Sequence, residues 1–192
     1  LEVSAAWALL SNSHLGASPT EIAQMCQNSE HVYVETMCGI MDQFISCHGR
    51  AGHALMLDCR SLEFELLPIP PDVRLMVCNT MVKHEHASGE YNTRRRECEE
   101  GVRLLAEVLS GIRALRDVTL DELEKHRERL NPVIYKRVRH VVSENERVEK
   151  AARLLEAGDV AAFGRLMDDS HRSLRDDYEV SIAELDLMVE LA

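Results

Sequence analysis

The stretch Cys38-Gly39-Ile40-Met41-Asp42-Gln43-Phe44-Ile45-Ser46 sets one carboxylate, Asp42, in a largely apolar run, with a glycine three residues before it. Apolar neighbours desolvate a carboxylate and tune its proton affinity, and a glycine lets a backbone amide approach a ligand closely. That combination suits a general base aimed at a small hydroxylic substrate. A lone aspartate is more often a cap, a turn or a surface charge, so the flanking sequence has to carry the reading.

Upstream, Ser18-Pro19-Thr20-Glu21 is a helix start: serine as N-cap, proline at the first position, glutamate returning a hydrogen bond. The helix it opens runs through Ile22, Ala23, Met25 and Cys26 towards Glu30. Residues 1–10 also have helical spacing of apolar side chains. Downstream, Gly49-Arg50-Ala51-Gly52 reads as a turn, followed by strands from His53 to Cys59 and from about Glu63 to Ile69. Pro68, Pro70 and Pro71 punctuate the chain and mark the best place for a domain boundary. Val73 to Cys78 reads as a short buried strand.

After Tyr91 the pattern is helical. Val102, Leu105, Val108 and Leu109 share one face, opposite Arg94, Arg95, Glu97 and Glu100, whose charges read as pairs on a solvated surface. Thr119-Leu120-Asp121-Glu122 is a second capping box. Pro132 opens a long helix with the stripe Ile134, Val138, Val141, Val142, Val148, Ala151, Leu155. Gly158 ends that helix, Asp159 caps the next, and Ser181-Ile182-Ala183-Glu184 reads as a third box. The fold class expected from this order is α+β, with the strands grouped in the first half.

Composition bounds the function. The 192 residues carry a net charge of −11, which argues against nucleic acid as a partner, because phosphate backbones need basic surface. No apolar run approaches the roughly 20 residues that span a bilayer, so no membrane partner is expected. The 6 cysteines include no Cys-x-x-Cys pair, a poor zinc pattern and no disulfide scaffold, as expected of free thiols in a reducing cytoplasm. In Lys83-His84-Glu85-His86-Ala87-Ser88 the position of a second zinc-protease histidine is Ser88, which favours a polar loop over a metal site. No Gly-x-Ser-x-Gly elbow and no glycine-rich phosphate loop occur. In Ser88-Gly89-Glu90-Tyr91-Asn92, read as a loop entering a helix, the tyrosine is suited to cover a sugar ring or to donate to a hydroxyl, although packing is its commoner use.

The opening stretch, together with His53-Ala54-Leu55-Met56-Leu57-Asp58-Cys59-Arg60-Ser61-Leu62, resembles the galactokinase family of the GHMP small-molecule kinase superfamily. Three further stretches carry the resemblance: residues 88–95 (Ser-Gly-Glu-Tyr-Asn-Thr-Arg-Arg), 139–142 (Arg-His-Val-Val) and 170–181 (Ser-His-Arg-Ser-Leu-Arg-Asp-Asp-Tyr-Glu-Val-Ser). It covers nearly the whole chain. It implies a GHMP kinase fold, with residues 1–70 as the C-terminal part of the N-terminal domain and 71–192 as most of the C-terminal domain.

The implied chemistry is transfer of the ATP γ-phosphoryl group to the 1-hydroxyl of α-D-galactose, with Mg2+ as cofactor. Asp42 is implied as catalytic base or orienting anion, Gly39 as a backbone contact to the sugar, Tyr91 as a sugar-binding residue and Glu30 as a magnesium ligand. A monomeric cytoplasmic enzyme is expected. Two departures stand out: Ile182-Ala183 replaces the family's usual Cys-Pro, and Val34-Glu35-Thr36-Met37 stands where a small, glycine-containing segment is usual. The family's sugar-and-base segment, phosphate loop and second glycine-rich motif have no counterpart here. The chain is therefore expected to be cut from a longer protein and to lack kinase activity alone. Another sugar 1-kinase, for N-acetylgalactosamine or arabinose, and a non-catalytic galactose-sensing regulator are the alternatives.

Overall fold

Ser18 starts the helix on which the first half of the chain is built. Its hydroxyl accepts from the Glu21 amide at 3.2 Å, and the Glu21 carboxylate accepts from the Ser18 amide at 2.7 Å. The computed structural model describes residues 1–82 and 87–192, and the chain divides between Val73 and Arg74 into two units. The expected polar loop from Lys83 to His86 lies outside the described residues.

In the first unit, α1 (Glu2–Ser13) and α2 (Pro19–Ser29) are followed by one wide π-helical turn, Glu30–Val34, and by α3 (Met41–His48). The hairpin β1 (His53–Leu57) and β2 (Phe64–Pro68) is antiparallel, with Leu55 opposite Leu66. Successive residues of α2 feed two small cores. Ile22 packs with Val3 and Cys26, whereas Ala23 packs with Ile40 and Phe44 against Leu55 and Leu57 of β1. Phe44 is fully buried, stacked on His48 at 4.2 Å and edge-on to Phe64 at 5.4 Å. His48 in turn hydrogen-bonds the Thr20 hydroxyl at 3.1 Å, which ties the end of α3 to the start of α2.

The second unit is helical. It contains α4 (Ala87–Ala106), α5 (Leu120–Lys125), α6 (Pro132–Glu156), α7 (Val160–Ser173) and α8 (Ala183–Leu191), with a π-helical turn, Leu174–Tyr178, after α7. Leu105, Leu123 and Val138 are fully buried at the centre of its core. Gly101 lets α4 approach α6, because a Cβ there would stand 2.4 Å from Val138 Cγ2. Among the described residues no helix is long and apolar enough to cross a membrane.

Three local readings are corrected. Residues 73–78 form no strand, and Leu75, Met76 and Val77 are 81%, 86% and 95% exposed. A strand needs a paired edge, and the sheet formed by the described residues is a hairpin that uses only β1 and β2. Ser181 is not an N-cap: α8 starts one residue later, with Ile182 at the cap, and the Ser181 hydroxyl donates to Asp186 at 2.7 Å. Arg94 and Glu97 are not on a solvated face but largely enclosed, whereas Arg95 does pair with Glu99 at 2.9 Å on the exposed side.

Candidate functional site

The loop that carries Gly39 and leads to Asp42 is held from α2 and the turn that follows it. The Gln27 side-chain amide donates to the Cys38 carbonyl at 3.1 Å, and His31 Nε2 donates to the same oxygen at 2.8 Å. A carbonyl oxygen has two lone pairs, so this one is saturated. Because it can only accept, His31 carries its proton on Nε2. Burial pushes the Cys38 thiol up, a Gln43 hydrogen bond opposes this, and the Glu30 charge adds to it. Glu30, Cys38 and Gln43 therefore share one neighbourhood, and Cys38 is a protonated packing group at neutral pH rather than a nucleophile.

Ile40 is the N-cap of α3, and Asp42 lies in the first helical turn. A carboxylate there is favoured by the helix dipole. Asp42 is exposed, as are Met41 and Ile45, whereas Gln43 and Phe44 face inward. The expected desolvation by apolar neighbours is thus absent in this unit: the helical period turns Phe44 to the core and Asp42 outward. The Gln43 amide donates to Glu2 at 2.9 Å, and its buried Oε1 has no partner among the described residues.

Glu30 is half-buried at the start of the π-helical turn, and Gly39 is exposed in the loop. Glu30, Gly39 and Asp42 all lie in the first unit. Tyr91, 46% exposed, lies in the second, inside α4 rather than in a loop before it. Among the described residues no group of three or more His, Cys, Asp or Glu could hold a metal ion. Glu30 offers one carboxylate, and one or two carboxylates suffice for magnesium, which keeps waters and substrate phosphates as its other ligands.

In the second unit the remaining three resembling stretches meet near Tyr91. Arg94 donates to the carbonyls of Tyr178 at 2.7 Å and Glu179 at 3.0 Å. Arg139 pairs with Asp177, and His140 Nδ1 hydrogen-bonds the Ser173 hydroxyl at 2.9 Å while its ring stacks on Tyr178 at 4.4 Å. At the centre is Arg137, which donates to Glu97 and to Glu179, each at 2.8 Å. Hydrogen bonds from Arg137 and Lys136 hold the Glu179 carboxyl down to about 2. Burial pushes the His140 imidazole below its ordinary range, and it pushes the Tyr178 phenol up.

Gln27, His31, Gln43 and Arg137 were not singled out by sequence reasoning. Only the four-residue step between Gln27 and His31, beside a glycine loop, could have suggested the clamp.

The family model described as GHMP kinases N terminal domain matches residues 1–50, the span that holds Glu30, Gly39 and Asp42. That span is similar to the N-terminal domain of the GHMP kinases. Over its whole length the chain is 46% identical to a galactokinase of Roseiflexus sp. (strain RS-1), covering 49% of that protein. It is 52% identical to the galactokinase of Homo sapiens over 88% of the chain and 42% of the human protein. Among solved structures, a Lactococcus lactis galactokinase complexed with galactose matches at 30% identity with a TM-score of 0.90, over 99% of this chain and 49% of that one. The chain spans about half the length of the curated relatives it matches, and over that span its fold is that of a GHMP kinase.

Proposed function

We propose that the protein carrying this chain is a galactokinase, which transfers the γ-phosphoryl group of ATP to the 1-hydroxyl of α-D-galactose, giving galactose 1-phosphate and ADP. The observation that carries the reading is the loop of Gly39 and Asp42. It lies in the segment matched to the GHMP kinases, is tied to α2 at the Cys38 carbonyl, and presents an outward carboxylate on the first turn of α3. The similarity to galactokinases along the chain supports galactose over other hydroxylic substrates.

In this reading Asp42 accepts a hydrogen bond from the 1-hydroxyl and takes its proton as the oxygen bonds to the γ-phosphorus and ADP leaves. Phosphoryl transfer depends mainly on positioning and on stabilising charge, so orienting that hydroxyl is as much the task as removing its proton. The Gly39 amide donates to the sugar, and Tyr91 lies against it. Glu30 holds Mg2+, which when bound neutralises charge on the ATP phosphates. The boundary between Val73 and Arg74 would separate parts of the two GHMP kinase domains. A monomer in the cytoplasm belongs to the same proposal, as does the expectation that these 192 residues alone do not turn over.

The test is a product assay of the protein carrying the chain, with ATP, over galactose, N-acetylgalactosamine and arabinose, beside the purified 192-residue chain. Galactose 1-phosphate from the former only is expected. Preference for another sugar replaces galactose as the substrate, sugar binding without turnover makes the protein a sensor, and turnover by the chain alone removes the expectation that it is inactive.

A further inference from the structure

α3 is held by two rows of side chains, each row made of residues four apart and therefore on one face of the helix. Ile40, at the N-cap, and Phe44 form the first row, buried with Ala23 of α2 and against Leu55 and Leu57 of β1. Gln43 and Cys47 form the second. Cys47 packs against the core of Val3, Ile22 and Cys26, and the Gln43 amide donates at 2.9 Å to the carboxylate of Glu2, on the first turn of α1. Successive residues of a helix stand about 100° apart, so Gln43 lies between Phe44 and the outward Asp42. A helix of 8 residues has little stability of its own, and a single row would leave it free to roll about its axis. The bond from Gln43 to Glu2 opposes that roll at the end where Asp42 stands.

Gln43 is 5% exposed, and its buried Oε1 has no hydrogen-bond partner among the described residues. A buried carbonyl left unpaired costs free energy, and an apolar side chain of the same length would avoid that cost. Stability alone therefore explains the amide at this position poorly, which leaves the direction that it imposes on α3. We propose that Gln43 and Glu2 are positioning residues, whose hydrogen bond sets the rotation of α3 and so holds the Asp42 carboxylate against the 1-hydroxyl of the sugar. The proposal rests on the galactokinase reading given above, with Asp42 as the base. Neither residue touches substrate in this scheme, and both act through the backbone of α3. Misplacing a catalytic group by about 1 Å costs up to roughly 10² in rate, so a small roll of this helix is enough to matter.

The variants are Gln43→Met, which keeps size and loses the amide, Glu2→Ala, which removes the same bond from the side of α1, and Glu2→Gln, which keeps an acceptor. Each is made in the protein carrying the chain, alone and together with Asp42→Asn, and read for kcat, galactose KM, ATP KM and melting temperature. Gln43→Met is expected to lower kcat about tenfold, with both KM values within about twofold of wild type and the melting temperature unchanged or raised. Glu2→Ala should lose as much, and Glu2→Gln should recover most of that loss. With Asp42→Asn in place, Gln43→Met should cost less than about twofold more, because residues that act as one unit are not additive. Wild-type kcat in Gln43→Met and Glu2→Ala, or the same fold-loss with and without Asp42→Asn, would each overturn the positioning role. If Gln43→Met does not fold, Glu2→Ala decides by the same measures. A wild-type protein that makes no galactose 1-phosphate, or that keeps its kcat in Asp42→Asn, overturns the underlying reading itself, and this role with it, whatever the other variants do.

Discussion

Arg137 Nη2 donates to Glu179 Oε2 at 2.8 Å, joining the second turn of α6 to the residue that closes the π-helical turn after α7. The guanidinium is 3% exposed and also donates to Glu97 of α4 and to the Asp177 carbonyl, so one cation ties three segments. A buried charge is tolerated only with such a set of partners, and removing one member leaves the others uncompensated. Arg137→Met should therefore destabilise the protein by about 3 kcal/mol. Urea unfolding measures this, and a loss below about 0.5 kcal/mol, typical of an exposed pair, would show that the cluster is solvated.

Gly101 makes the opposite kind of prediction. Alanine is the better helix former by about 1 kcal/mol, so an open site on α4 would be stabilised by Gly101→Ala. Here the new methyl would stand 2.4 Å from Val138 Cγ2 and 3.4 Å from Ile134 Cγ2, and a β-branched valine cannot swing aside. Overpacking should outweigh propensity and leave a net loss of about 1–2 kcal/mol. A raised melting temperature would refute this account of how α4 meets α6.

The pH dependence follows from His140. Burial lowers its folded pKa below the ordinary 6.5, so the unfolded chain takes up a proton at pH values where the native site resists it. Stability is then full above about pH 6.5 and falls as the pH drops through the window beneath it. His140→Gln removes this group from the titration. The slope of the urea midpoint between pH 7 and 5.5 should be shallower in the variant, and equal slopes would mean that His140 protonates freely in the fold.

Local structure was legible where the signal is local. Ser18 with Glu21 and Thr119 with Glu122 each cap the helix expected of them, and Pro132 opens the next, since a helix start is decided within four residues. Ser181 misled because Asp186, one helical turn on, offers its hydroxyl a carboxylate in place of a backbone amide. Arg94 and Glu97 read as solvated because nothing near them in sequence announces Tyr178 and Glu179, some eighty residues away. Asp42 and Gly39, proposed for the site, could be named from their motif. Gln27 and His31 were not, because their partner is a backbone carbonyl, which no residue type advertises. Residues 73–78 have the composition of a strand, but pairing is a property of the edge they would meet.

Tyr91 lies three residues before Arg94, whose bonds to the Tyr178 and Glu179 carbonyls tie that part of α4 to the turn after α7. If it lies against the sugar, Tyr91→Phe keeps the ring and loses only the hydroxyl. A rise in galactose KM of a few-fold is expected, about the loss of one hydrogen bond, with kcat little changed. A change confined to ATP KM would contradict the sugar role.

Asp42 gives the most direct test of the proposed chemistry. It lies outward on the first turn of α3, while its neighbours Gln43 and Phe44 supply the inward anchors. Asp42→Asn therefore removes a charge and a proton acceptor without disturbing the core, and the melting temperature should stay within a few degrees of wild type. If the carboxylate takes the proton of the 1-hydroxyl, kcat should fall by roughly 10² or more, the usual scale of general-base catalysis. Galactose should still bind, because an amide oxygen can accept the same hydrogen bond. Loss of kcat with binding retained separates a base from a binding group. An unchanged kcat would make Asp42 a helix-terminal charge, stabilising α3 by its place near the dipole and nothing more.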